Sequence, residues 1–156
     1  MAWPGYTAVM LAFASAAVSL YWTLGGTALL DTVGGVFEEL ARERSAGAML
    51  LGSFVVFLKV GGGMLAVALV REWGAPIVRR LVGWSAVLGS VVLTLYGGVF
   101  VVTGALVLGG AITTSEPIDE HALRWHVFLW DLWFLVWGVM LGLAAWGHRR
   151  TQADRR

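Results

Sequence analysis

Two ionisable residues stand inside otherwise apolar stretches, where a charge is unfavourable enough that each calls for a role. Lys59 lies near the middle of the apolar run 46–70, and a lysine at the centre of a membrane helix costs about 2.5–3.5 kcal/mol on insertion scales. Gly52, Gly62, Gly63 and Ala66 fall three, four or seven residues from it. Its helix face is therefore small and admits a neighbouring helix closely. Asp131 lies one or two turns inside the last apolar run, with Gly138 and Gly142 on nearly the same face. Both side chains are expected to face protein. The plain role for them is structural: an ion pair that sets helix register, or for Lys59 an ammonium that reaches outward along its stem. The chemical role makes Asp131 a proton donor and Lys59 an anchor for a substrate oxygen.

His126 stands five residues before Asp131, beside Arg124 and Trp125. A lone histidine near an interface is ordinarily a hydrogen-bonded surface group, and the chemical reading makes it a partner of the acid. Neither His121 nor His148 stands at metal-ligand spacing from it, so no metal site is expected. Around these residues the aromatic content is high. The segment 125–137 holds Trp125, Trp130, Trp133, Phe134 and Trp137, of which Trp130, Trp133 and Trp137 share a stripe with His126 at helical spacing. Trp22 and Tyr96 fall inside the first and third apolar runs. Each alone reads as lipid or core packing. Around a buried acid they also suit a carbocation, because aromatic faces stabilise cations by about 0.5–2 kcal/mol per contact.

The elements that must position these groups are four helices. The apolar runs 6–30, 46–70, 81–112 and 125–146 each exceed the roughly 20 residues needed to cross a hydrocarbon core about 30 Å thick. They are continuous rather than alternating, which favours helices over strands. Hydrophobic residues make up 58% and charged residues 13%, about half the charge of a soluble domain, too little polar surface for solubility. The first run lacks the basic start and short apolar core of a cleaved signal peptide. Cysteine is absent, which excludes disulfides, thiol catalysis and thiolate metal sites. Gly61, Gly62 and Gly63 lie inside a span and read as packing, not as a phosphate loop. There is no Asp-rich diphosphate–magnesium motif and no basic patch for nucleic acid.

Arginine placement sets the expected orientation. Arg71, Arg79, Arg80, Arg149, Arg150, Arg155 and Arg156 fall on one side. Arg42, Arg44 and Arg124 fall on the other, among Asp31, Glu38, Glu39, Glu43, Glu116, Asp119 and Glu120. Both termini are therefore expected in the cytoplasm. In the outward loop 31–45, Val36, Phe37 and Leu40 fall at helical spacing opposite Glu38, Glu39, Arg42 and Glu43, the pattern of a short surface helix. Glu38 and Glu39 are adjacent and read first as a solvated face. If the loop folds over the bundle mouth, Glu39 enters the site, and Asp31 either caps the loop helix or lines the mouth.

The combination of Leu24-Gly25-Gly26-Thr27, Lys59, Tyr96-Gly97, Arg124-Trp125-His126, Trp130-Asp131-Leu132-Trp133-Phe134 and Trp137-Gly138 resembles a group of small four-span bacterial membrane proteins. That group is common in actinobacteria and catalogued as a domain of unknown function. Its members often carry proline where Leu132 stands, and leucine there leaves the helix less kinked. The resemblance implies the fold and no activity. In size, architecture and its intramembrane acid among aromatics, the chain more weakly resembles the small membrane-bound terpene cyclases of bacterial diketopiperazine–terpenoid pathways. This second resemblance implies protonation and cyclisation of an attached prenyl chain.

The expected fold is an all-α, integral-membrane four-helix bundle (1–148) with a basic cytoplasmic tail (149–156), in the cell membrane. Its expected partners are the lipid bilayer and a lipophilic, prenylated small molecule, with no cofactor, no metal and no nucleic acid. The functional reading is proton-initiated isoprenoid cyclisation. Asp131, His126, Lys59, Glu39 and Asp31 are the chemical candidates. Trp22, Tyr96, Arg124, Trp130, Trp133, Phe134 and Trp137 are the substrate-facing ones. The alternative is a non-catalytic subunit or small transporter component with a structural Lys59–Asp131 pair. Self-assembly through the glycine-rich faces of the second and third spans is compatible with either.

Overall fold

The structure is a computed structural model that describes residues 3–113 and 118–154, with side chains as far as Thr151. Glu116, Arg155 and Arg156 lie outside the described residues. The described residues form helices α1 (Trp3–Thr23), α2 (Gly35–Glu43), α3 (Ala46–Arg71) and α4 (Pro76–Leu108), then α5 (Glu120–Trp125) and α6 (Asp131–Asp154). A 3₁₀ turn covers Leu30–Thr32, and a π-helical turn, His126–Trp130, joins α5 to α6. Four helical stretches are long and apolar enough to cross a membrane: Trp3–Thr23, Ala46–Arg71, Pro76–Leu108 and Glu120–Thr151.

Helix ends follow local chemistry. α1 stops at Thr23, not near Leu30 as hydropathy alone predicts. Gly25 takes φ 97°, and the amides of Gly25 and Gly26 turn back to the carbonyls of Trp22 and Tyr21 at 2.9 and 2.8 Å, the glycine-terminated Schellman arrangement. Residues 24–34 thereby become a loop that folds over the bundle end. Ser45 caps α3 by accepting from the Ala48 amide at 3.3 Å. Pro76 opens α4 in the first turn, where its missing N–H is not needed. Helix α6 runs through Asp154, so the expected tail from 149 continues the last helix. There Arg149 lies over Trp84 at 4.2 Å and Arg150 over Trp146 at 3.7 Å.

α1 packs along α3 and α4 along α6, and α1–α6 contacts join the two pairs. α3 and α4, though consecutive, touch far less. The bundle has two unlike halves. Toward the 72–75 connection it has a close core of Ala8, Ala12, Ala66, Leu69, Ala86, Trp137, Leu141 and Ala145, with a cavity of about 180 Å³ at its end beside Gly5, Glu72 and His148. Small residues dominate that core and let the helices approach closely. Gly52, Gly62 and Gly63 are used within the chain, against Thr23, Trp137 and Phe13. The closest approach is between α4 and α6. A Cβ on Gly97 would stand 2.6 Å from the carbonyl oxygen of Asp131, and one on Gly138 would stand 2.6 Å from the Thr94 amide nitrogen. The Ser90 hydroxyl donates to the Gly138 carbonyl across the same seam at 2.8 Å.

Overpacking at such a seam costs about 1–3 kcal/mol or more. Gly97→Ala is therefore expected to lower the melting temperature in detergent, read by fluorescence-detected size exclusion. Gly61→Ala, with nothing within 4 Å of the added methyl, is expected to leave it unchanged or raise it slightly. Equal behaviour of the two variants would contradict the seam.

Candidate functional site

The half of the bundle under the 24–45 loop is hollow. A cavity of about 320 Å³ is bounded by α1, the loop, α2, α3, Tyr96 of α4 and the segment from His126 to Phe134. Its polar groups are few and lie at distinct positions on its wall.

The first group is made by the π turn. Five residues separate His126 from Asp131, and on a regular α-helix that spacing points two side chains well apart, since each residue advances about 100°. In the π turn the Asp131 amide bonds back to the carbonyl of His126, so one turn closes over about five residues. The two side chains come onto one face, with His126 Nδ1 at 3.2 Å from Asp131 Oδ2. His126 Nε2 lies 2.9 Å from the carbonyl oxygen of Val33 in the covering loop. A carbonyl oxygen only accepts, so Nε2 carries the hydrogen of that contact. Nδ1 and Oδ2 then hold one hydrogen between them, as carboxylic acid with neutral imidazole or as carboxylate with imidazolium. Both forms are electrically neutral. Removing that hydrogen would leave two lone pairs facing each other. Asp131 is 3% exposed. Among the described residues the buried side-chain polar atom left without a hydrogen bond is Trp137 Nε1. Asp131, buried as it is, lines the cavity.

The second group is Lys59. Its ammonium donates to the Ser19 hydroxyl at 2.7 Å and lies 5.2 Å from the centre of the Phe134 ring. The Lys59–Asp131 ion pair considered from the sequence is not formed: among the described residues no carboxylate lies within 4.0 Å of Lys59. The π turn gives Asp131 to His126, and Lys59 reaches α1 instead. Lys59 and Asp131 nevertheless line the same cavity.

The wall between these groups is aromatic. Trp22 and Trp130 meet edge to face at 5.2 Å, and Tyr96 meets Phe134 edge to face at 5.4 Å. Every lining indole has its N–H engaged elsewhere: Trp22 with the Ala28 carbonyl at 2.9 Å, Trp130 with the Thr32 hydroxyl at 3.1 Å, and Trp133 with the Leu11 carbonyl at 3.0 Å. The rings are thereby held in fixed orientations. Phe37, Leu51 and Tyr96 line the cavity and are also 65%, 43% and 45% exposed. The cavity therefore reaches the surface past apolar side chains of α2, α3 and α4.

Lys59, His126, Asp131, Trp22, Tyr96, Trp130, Trp133 and Phe134 are thus gathered around one space. The other candidates are not. Trp137 is buried in the alanine-lined core, stacked on Phe134 at 6.2 Å. Arg124 is exposed and pairs with Glu120 at 3.2 Å. Glu39 is exposed on α2. Asp31 sits on the outside of the 3₁₀ turn, 3.8 Å from His121, and the residue that caps α2 is Gly34. The loop helix forms as its periodicity predicts, with Phe37 and Leu40 on the cavity. Sequence reasoning missed Ser19, Thr32 and the Val33 carbonyl. Ser15 and Ser19, one turn apart in an apolar span, were a usable signal for the first. A backbone carbonyl leaves no trace in residue identity. Among the described residues no cluster of His, Asp and Glu could hold a metal ion.

The profile of a protein family described only as of unknown function matches residues 12–141. No curated protein and no solved structure matches the chain.

The hydrogen-bond pattern predicts that His126 carries hydrogen on Nε2 in the resting protein. Nitrogen-15 spectra of histidine-labelled protein in nanodiscs, with His126 assigned by its loss in His126→Asn, are expected to show a bonded hydrogen there. A bare Nε2 would contradict the arrangement.

Proposed function

The chain belongs to the DUF3995 family of proteins of unknown function, and because that description carries no activity we propose, from the cavity alone, that this is a membrane-embedded enzyme that donates a proton to a lipophilic substrate. Its most concrete form is the proton-initiated cyclisation of an isoprenoid chain, as in the membrane-bound terpene cyclases the sequence resembles. The observation that carries the reading is the His126–Asp131 pair, which holds one transferable hydrogen at the wall of an apolar, tryptophan-lined cavity.

The reaction needs a proton and no other reagent. The Asp131 carboxyl releases its hydrogen to an alkene carbon. The alkene π electrons form the new C–H bond, which leaves a tertiary cation on the neighbouring carbon. The π electrons of a second alkene close the ring by forming a C–C bond to that cation. The final cation returns a proton to the Asp131 carboxylate and becomes an alkene, so the product is an isomer of the substrate. His126 keeps the carboxyl oriented, and its Nδ1 lone pair, left facing the carboxylate while the proton is away, favours the proton's return. Trp22, Trp130, Trp133, Tyr96 and Phe134 offer π faces to the migrating cation, each contact worth about 0.5–2 kcal/mol. Besides Lys59, His126 and Asp131, the polar side chains that line the cavity are the hydroxyls of Ser15, Ser19, Thr23 and Tyr96. The apolar side chains at its opening suit a substrate already dissolved in a bilayer.

The surface supports a bilayer setting. Trp3, Trp73, Trp84 and Trp146 are exposed at one end of the bundle, beside Arg71, Arg80, Arg149 and Arg150. Tryptophan and arginine in that combination favour a headgroup region on the cytoplasmic side. The reading puts the protein in the cell membrane with both termini in the cytoplasm and the loop half outward.

Cells given farnesyl- or geranylgeranyl-bearing compounds are expected to form a product of unchanged mass and shifted retention by chromatography with mass spectrometry. Asp131→Asn at matched abundance is expected to reduce it about 100-fold or more, the usual weight of a general acid. No product from either substrate class would overturn the cyclase reading. Because the chain has no cysteine, topology is testable with single cysteines. In intact cells, Glu39→Cys is expected to react with an impermeant maleimide and Thr151→Cys only after permeabilisation. The reverse pattern would invert the assigned orientation.

A further inference from the structure

The charges on the cavity wall do not cancel. The His126–Asp131 pair is neutral in either form that its hydrogen bonds allow. Lys59 contributes a positive charge, and its nearest polar partner is the uncharged Ser19 hydroxyl. Every other lining side chain is apolar, aromatic or a neutral hydroxyl. The lining therefore holds one cation and no net anion, in a space of about 320 Å³ that falls in the roughly 300–1,000 Å³ range of small-molecule sites. A charge removed from water without a counter-charge is unfavourable. An ammonium with hydrogens to spare beyond its serine also makes its strongest hydrogen bonds to an anionic oxygen.

We propose that the cavity binds a lipophilic monoanion, an isoprenoid carboxylate, with the carboxylate on Lys59 and Ser19 and the unsaturated chain along the tryptophan wall toward Asp131. The inference rests on the cavity being a ligand site and does not depend on any catalysis there. It gives Lys59 a task that the proton-transfer reading leaves open. The positive end of the cavity takes the head, the neutral pair faces the chain, and the substrate lies in one direction only. A neutral analogue of the same chain keeps the wall contacts and loses the charge-assisted bond. A chain ending in an amine places two positive charges together.

The test is equilibrium binding to the full-length protein in nanodiscs of neutral lipid, with radiolabelled farnesoic acid, its methyl ester and farnesylamine as probes. The wild type is expected to bind the acid about tenfold or more tighter than the ester, and the amine more weakly than either. In Lys59→Met the acid and ester are expected to come within about twofold of each other, with ester binding unchanged, and Lys59→Arg is expected to restore the preference. Equal affinities for acid and ester in the wild type, or a preference for the acid that survives Lys59→Met, would overturn the charge assignment and leave the ligand site standing. Failure of all three probes to bind would overturn the ligand site itself. The wild-type comparison of three probes decides the proposal even where Lys59→Met does not fold.

Discussion

A single hydrogen bond, from His126 Nε2 to the Val33 carbonyl at 2.9 Å, ties the covering loop to the last helix and decides the protonation of the pair beneath it. With Nε2 committed to a carbonyl, Nδ1 is left to share a hydrogen with Asp131. That outcome needs three conditions at once. The π turn must bring residues five apart onto one face. The chain must leave α1 at Gly25-Gly26 so that Val33 can reach over the bundle. Gly97 must be bare so that α4 can lie against the backbone at Asp131. Thr32 adds a second latch through Trp130 at 3.1 Å. The loop is therefore part of the site, because it supplies the acceptor that sets the tautomer.

The same packing explains why a bundle of this size has room for a cavity. Toward the arginine-rich end alanine side chains bring the helices together around a close core and leave a smaller cavity of about 180 Å³ beside Gly5, Glu72 and His148. At the other end large aromatics stand off from one another, held by their indole N–H groups to backbone or hydroxyl partners. Trp137 marks the boundary: it is 3% exposed, stacks on Phe134 and rests against Gly62. The α4–α6 seam at Gly97 and Gly138 continues beside the cavity and steadies the wall that carries Asp131.

Much of this was legible in the residues. Uninterrupted apolar runs announce four spans, because a polar backbone in hydrocarbon has few alternatives to helix. Lys59 and Asp131 announce themselves by being out of place, and the tryptophan spacing around residue 130 indicates the wall. Three things were not legible, each for a physical reason. Hydropathy carried the first span to Leu30 because it cannot see that Gly25 takes a positive φ and ends the helix. His126 was a candidate partner of Asp131 by chemical type, but regular helical periodicity of about 100° per residue does not put the two on one face, and nothing in it foresees the π turn that does. An opposite-charge pairing of Lys59 with Asp131 was the natural expectation, and the fold instead offers histidine to the acid and serine to the amine. Arg124, Glu39 and Asp31 were drawn in by chemical type, and they sit on solvated surfaces where a charged residue is ordinarily found.

Proton transfer to carbon is the claim on which the functional account turns, and it leaves a label. Purified protein equilibrated beforehand in deuterated water and then given less than one equivalent of a prenylated substrate is expected to give, in that first turnover, a cyclic product that carries one deuterium at a carbon that does not exchange, read by mass spectrometry and carbon-13 spectra. A cyclic product free of deuterium would show that ring closure begins without a proton from the site, and the role given to the His126–Asp131 pair would be wrong.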